Sequence, residues 1–314
     1  MEKIKTIVAS VSLVMVGLLW LLTSPAEAAT IRLTCSAKDT IGNAIKKLKP
    51  GDTLLVTGSC NEHVEIPAEV ARITLDGQDK ATINGPDATK DTMTIRGRAI
   101  LMKGFTITGG GNAIQVEVGG DAVIDGNTVN NAGRFGIGVN RMAFAVIVNN
   151  TIRNNTSQGI AVAGGAFAFI GFRTGIDKTT SPNTIENNGD HGITVARSSS
   201  ARIVGNMIRN NKRNAVNVSR ASQADISNNT IEGNGGDGIN VTQNSSVSLG
   251  IGTGTGIFDL PNSTASPNGG VGTRCALNSS VDGRLGSLNG NSATKDFDPS
   301  CTESLQAVVL GKQP

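Results

Sequence analysis

Two carboxylates with a guanidinium midway between them, Glu186, Arg209 and Glu232, recur at a constant step along the chain. If one such step, about 23 residues, returns the chain to the same place on a repeating coil, these side chains line up on neighbouring parallel strands. Glu186 and Glu232 are then two strands, roughly 9.6 Å, apart. That lies near the upper end of the spacing at which an inverting glycosidase sets acid and base on either side of a water. Arg209 between them would hold an acidic sugar or steady developing negative charge. Read structurally, the same column (Asn130, Arg153, Glu186, Arg209, Glu232) is a ladder of alternating charge, whose opposite neighbours stabilise each other modestly.

A second set, Asp190 and His191 with Arg213 and Asp237 in the following repeats, offers a histidine base beside carboxylates. Polar residues are also what turns ordinarily hold. Arg141, Arg197 and Arg220 form a further column, broken by Gly164 and ending at Gln243. It is either an edge that meets an anionic polymer or a solvated basic edge.

The elements that must position these groups follow from the repeat itself. Asn127, Asn150, Asn183, Asn206 and Asn229 keep the same step, except that the one from Asn150 to Asn183 is longer. Ile114, Ile137, Ile160, Ile193, Val216 and Ile239 share this spacing, as do Ile124, Ile147, Ile170, Ile203, Ile226 and Leu249. Segments such as Gly192-Ile193-Thr194-Val195 alternate apolar with small or polar residues, the period of a strand with one buried face. One such unit cannot bury its apolar face alone, whereas stacked units can. The pattern predicts an all-β parallel β-helix with three strands per coil and about 23 residues per coil. The Ile, Val and Leu columns fill its interior, and the Asn column stacks at a turn.

The coil length, the Asn column and the GI-x-V strands resemble the right-handed parallel β-helix proteins of the pectin-lyase-like superfamily. Ile73-Thr74-Leu75-Asp76-Gly77-Gln78, followed by Gly104-Phe105-Thr106-Ile107-Thr108-Gly109-Gly110, is similar to the first coils of that group. The resemblance spans about residues 50–265 and implies the fold. It leaves activity open, since the group holds lyases, hydrolases, epimerases and proteins without known chemistry.

The repeat step lengthens by about ten residues twice at one point of the coil, around Thr174-Gly175-Ile176-Asp177 and Thr255-Gly256-Ile257-Phe258-Asp259. Insertions in a solenoid map to loops on one face, often the binding face. Three coils apart, these loops are expected to stand roughly 14 Å from each other with a shallow groove between them. Arg153, Arg173, Asp177, Asp190, His191, Arg213, Asp237 and Asp259 are the binding candidates around it. A duplicated decorative loop is the alternative.

Residues 1–28 read as a secretory signal peptide. Lys3 and Lys5 precede an apolar stretch over residues 7–22, and Ala26-Glu27-Ala28 supplies the cleavage site. The protein is therefore expected to be secreted or periplasmic, with no stable membrane insertion after cleavage. Removing the segment takes away equal numbers of acidic and basic residues and leaves the net charge at +3, too small to imply nucleic acid. Residues 29–60 are expected to form an N-terminal cap with a short helix in TIGNAIKKL. Residues 61–265 should form the β-helix and residues 266–314 a C-terminal cap and tail. Cys35, Cys60, Cys275 and Cys301 lie in two pairs outside the repeats, which predicts bridges Cys35–Cys60 and Cys275–Cys301. No C-x-x-C spacing exists and Gly235-Gly236-Asp237-Gly238 occurs once, so neither a metal site nor a cofactor is expected.

The chain has no Tyr, and its only Trp is Trp20. A cleft for neutral sugars ordinarily stacks rings on those side chains, which favours an anionic polymer held by Arg and Lys. Two functions therefore stand: a non-catalytic β-helix, structural or binding cell-envelope or extracellular polysaccharide, and a polysaccharide-acting lyase, epimerase or inverting glycosidase. An accessory role in metalloenzyme assembly has little support from two His and few Met.

Overall fold

The computed structural model describes residues 28–250 and 256–306. The expected signal peptide, apart from Ala28, lies outside the described residues. Every paired strand among them is parallel to its partner, and each pairs with its equivalent one coil away. One ladder carries Asp121–Asp125, Phe144–Val148, Phe167–Ile170, Ser200–Val204, Gln223–Ser227, Ser246–Leu249, Ser280–Gly283 and Thr302–Leu305. A second carries Thr128–Asn130, Thr151–Arg153, Thr184–Glu186, Met207–Arg209 and Thr230–Glu232. The third is a 10-stranded sheet from Val64–Ile66 to Ala293–Phe297. The chain is a parallel β-helix.

Register explains the core. Ile124, Ile147, Ile170, Ile203, Ile226 and Leu249 face one another across successive strands of the first ladder, each 0% exposed. Burying such a side chain is worth roughly 1.5–3 kcal/mol, and a one-residue slip would turn the whole column outward.

The Asn column stacks as expected. Asn206 Oδ1 accepts from the backbone N–H of Asn183 at 3.1 Å and from its Nδ2 at 2.8 Å, while Asn206 Nδ2 donates to Asn229 Oδ1 at 3.0 Å. The column extends to Asn262, and all its members are buried. A second buried stack, Asn155, Asn188, Asn211, Asn234 and Asn268, repeats this bonding where the chain leaves the second ladder. Ser199, Ser222, Ser245 and Ser279 form a third, hydroxyl accepting backbone N–H from coil to coil. Turns that would otherwise leave buried polar backbone unpaired are satisfied this way.

At the N-terminal end a helix spans Ile41–Ile45, with Thr40 as its cap and Ile41 and Ile45 buried. The Glu62 carboxylate accepts the N–H groups of Ile41 and Gly42 at 2.7 and 3.0 Å, a favourable place for negative charge. Glu62 is thus spoken for by the fold. Both bridges, Cys35–Cys60 and Cys275–Cys301, are present, and each ties adjacent coils. The parallel pairing runs beyond residues 61–265 at both ends: Thr30–Thr34 pairs with Thr53–Asn61, and Ala293–Phe297 and Thr302–Leu305 close the other end. Loss of the apolar period after Leu249 hid these last coils, because Thr273 and Gly283 stand in the inward columns where Ile239 and Leu249 stood one coil earlier.

Candidate functional site: a cationic groove on the third ladder

The charge column on the second ladder is in register, Arg153 against Glu186, Glu186 against Arg209, and Arg209 against Glu232. Arg209 Nε donates to Glu186 Oε2 at 2.8 Å. Among the described residues, Arg153 and Glu232 have no ion-pair partner.

The expected groove between the inserted loops is closed. Phe172 of the first loop meets Phe258 of the second with ring centroids 5.1 Å apart, and Arg202 lies 4.4 Å from the Phe258 centroid. Phe172, Val204 and Ile257 are buried together. The strands beneath are three coils apart, as expected, but both loops lean inward over the first ladder because their apolar side chains share one cluster. Asp177 and Arg173 are both engaged within the protein. Asp177 accepts from the Thr174 hydroxyl at 2.6 Å and from the N–H groups of Thr174 and Arg173, which hold its carboxyl below the usual range. Arg173 pairs with Asp125 at 2.6 Å, and the Asp259 N–H donates to the Gly256 carbonyl.

The second set stands at the turn that enters the third ladder. Asp91, Asn112, Phe135, Gln158, His191, Asn214 and Asp237 occupy one position of this turn in successive coils. Four of these side chains accept the N–H of the equivalent residue in the next coil: Asp91 from Asn112, Asn112 from Phe135, His191 through Nδ1 from Asn214 at 3.1 Å, and Asn214 from Asp237. Since a backbone N–H can only donate, Nδ1 of His191 carries no proton in this arrangement. His191 Nε2 and Arg213 Nε both stand 3.5 Å from Asp190 Oδ1, and Gln158 Nε2 donates to Asp190 Oδ2 at 2.9 Å. Burial pushes His191 below the ordinary histidine range, against the pull of Asp190, and Arg213 adds to the lowering. Asp237 is turned away, bonded to Arg274 at 2.9 Å and to the Val271 N–H.

This stack is interrupted at Phe135 and Gln158, and the interruption opens onto a cavity of about 420 Å³ on the outer face of the third ladder. Strand alternation builds its floor. Ile160 and Val162 point inward, so Ala161 and Ala163 point out, followed in register by Thr194 and Ala196, then Asn217 and Ser219. The buried Thr194 hydroxyl has no hydrogen-bond partner in the protein. One wall is Arg134, Phe135, Gln158 and His191, with the Arg134 guanidinium 4.6 Å from the Phe135 centroid. The other is Asn140, Arg197, Arg220 and Gln243.

No Asp or Glu lines this groove, and the guanidinium groups of Arg134, Arg197 and Arg220 join no ion pair among the described residues. Arg141, in the same column, is instead paired with Glu117 at 3.2 Å. A larger cavity of about 600 Å³ beside the N-terminal helix is lined mainly by Ile45, Leu48, Pro50, Pro67 and Val70, with Lys46 offset by Glu65 and Glu69. A cavity of about 430 Å³ on the other side of that helix also gathers cations, Arg32, Lys38, Lys46 and Lys47 against Asp39. What sets the groove on the third ladder apart from both is that no carboxylate lines it.

The left-handed backbone conformation at this edge belongs to the turn and recurs at Arg141 and Met142, Gln243 and Asn244, and Leu277 and Asn278. The turn that leaves the third ladder uses two left-handed residues per coil: Gly164 and Gly165 at φ 64° and 74°, but Arg197 and Ser198 at 61° and 58°, and Arg220 and Ala221 at 58° and 56°. A non-glycine residue costs roughly 1–2 kcal/mol there. Arginine is held where glycine would sit freely.

A family model described as a right handed beta helix region matches residues 70–175 and 94–250, together more than half of the 314-residue chain. The chain belongs to the right-handed β-helix family. Similar solved folds include the A-module of the mannuronan C-5 epimerase AlgE4 from Azotobacter vinelandii, at 16% identity and TM-score 0.50, covering 85% of this chain and 91% of that one. Pectate lyase Pel9A aligns at 13% identity and TM-score 0.53, over 87% and 80% of the two chains. A variant of the periplasmic alginate epimerase AlgG aligns at 14% identity and TM-score 0.52, over 88% and 82%. At these identities the likeness is one of fold. No curated protein matches the sequence. This β-helix protein has two disulfides, and among its described residues no helix is long and apolar enough to cross a membrane.

Proposed function

We propose that this β-helix protein is exported and binds an anionic polysaccharide along the groove of the third ladder, without processing it. The observation that carries the reading is three arginines, Arg134, Arg197 and Arg220, which join no ion pair among the described residues and stand on the walls of a groove lined by no carboxylate. Such a set attracts a polyanion and holds it by charge-assisted hydrogen bonds. Phe135 beside Arg134 gives an apolar face, and Gln158, Asn217 and Gln243 give amides for hydroxyl groups. Proteins of the same fold are named for mannuronan, alginate and pectate, which are polysaccharides. Two disulfides and the basic, apolar and A-x-A run of residues 1–28 favour export.

The absence of chemistry rests on the groove's residues. With no Asp or Glu in its lining, the one candidate base is His191, whose Nδ1 is engaged by Asn214 and whose Nε2 faces Asp190. The test is binding of the purified protein to acidic and neutral glycans, wild type against Arg197→Ala/Arg220→Ala. Retention of acidic chains that weakens with salt and is lost in the double variant is expected. Equal retention of neutral chains, or no effect of the substitutions, would sink the reading.

A second reading keeps the enzyme at Glu186, Arg209 and Glu232. It is favoured by one observation: Glu186 is neutralised by Arg209, whereas Glu232 has no ionic partner among the described residues. Two carboxylates in unlike settings are what acid and base roles require. Release of reducing ends or unsaturated uronate that disappears in Glu186→Gln and Glu232→Gln would establish it.

A further inference from the structure

We propose that His191 is a proton-operated fourth cation of the groove, so that acidification tightens its hold on an anionic glycan. This rests on the reading of the groove as an anion site. The inference starts from the position His191 occupies. In the same column Asn112 and Asn214 accept the next coil's N–H through an amide oxygen, whatever the pH. His191 does the same work through Nδ1, and only while that nitrogen is unprotonated. It does so on the wall of the groove, with 14% of its side chain exposed.

The groups facing the ring are few. Asp190 lies on its own turn, Arg213 one coil on, and Asp237 two coils on, with neutral Gln158 and Asn214 beside them. Asp190 is already shared with Arg213 and Gln158, and Asp237 is committed to Arg274. A proton arriving on His191 is therefore incompletely cancelled, and its charge adds to that of Arg134, Arg197 and Arg220. In the free protein, burial and Arg213 oppose that proton. A bound anion favours it, and linkage makes the effect reciprocal: protonation raises affinity by the factor by which the ligand promotes protonation.

The probe is a sulfated oligosaccharide, whose own charge is constant between about pH 7.5 and 5, titrated into the full-length protein by calorimetry. Wild-type Kd should fall about fivefold or more across that range. His191→Asn, which retains an acceptor for the Asn214 N–H, should lose this slope. His63→Asn, at the chain's other histidine, which bonds the Asp91 carbonyl and does not line the groove, should keep it. In parallel, the His191 ring followed by NMR should titrate at higher pH with the oligosaccharide bound. A flat wild-type profile, or the same slope in His191→Asn, overturns the proposal while leaving the groove reading intact. No binding at any pH removes both.

Discussion

The ring of Phe172 meets the ring of Phe258 edge-on, centroids 5.1 Å apart, although the strands beneath their loops are three coils apart. That contact turns two insertions into one cover over the first ladder, with Arg202 held beneath it. The open surface therefore lies elsewhere, on the third ladder, where the turns are short.

Replacing Phe258 by Ala should free the loop without unfolding the coils, since the contact lies in a small cluster apart from the main core. Limited proteolysis should cut within residues 256–260 far faster than in the wild type, with melting shifted by only a few degrees. Unchanged cleavage would mean that the rings do not hold the loops together.

Arg197→Gly separates stability from binding. Glycine relieves a left-handed arginine at φ 61°, so unfolding free energy should stay within about 1 kcal/mol of the wild type, offset by the extra freedom of the unfolded chain. Retention on an acidic glycan should nevertheless drop, with a shallower salt dependence. A variant that binds as well as the wild type would show that Arg197 is only edge.

Asn206→Leu should be severe. The side chain serves Asn183, Asn229, Ile170 and Val204 from a buried position, and its loss strands several polar groups. At about 1–3 kcal/mol per unsatisfied group, the penalty should exceed about 3 kcal/mol in urea unfolding.

Stability should fall in mild acid through His191. Its pKa is lower folded than unfolded, so the unfolded chain binds more protons in the interval between the two values. The contribution is fully present above the unfolded value of about 6.5 and is lost as pH falls through it towards the folded value. Thermal unfolding of His191→Asn between about pH 7.5 and 5 should show a weaker decline than the wild type.

The fold was legible because period, register and burial are one fact in a solenoid: residues one repeat apart must share an environment, and Ile and Asn columns show it directly. The second Asn stack, from Asn155 to Asn234, obeys the same step and was open to the same inspection. The groove was less legible. Arg197 and Arg220 stood out as a column, but their value depends on Glu117 claiming Arg141, and on Ala161, Ala163 and Ala196 leaving space. Those are facts about neighbours across coils, which composition does not carry. The loops misled for a similar reason. Their spacing along the axis was readable, whereas the lean of Phe172 towards Phe258 was not.

The two disulfides, one in the first coils and one in the last, have a mechanical consequence. Each coil leans on the next, so such a molecule is expected to come apart by fraying from a free terminus, as a zipper does. Cys35–Cys60 and Cys275–Cys301 fasten the two places where that begins. Each closes a loop of about 25 residues, worth roughly 3 kcal/mol. Reduction should convert one sharp unfolding transition into an early loss of end coils followed by the collapse of the middle.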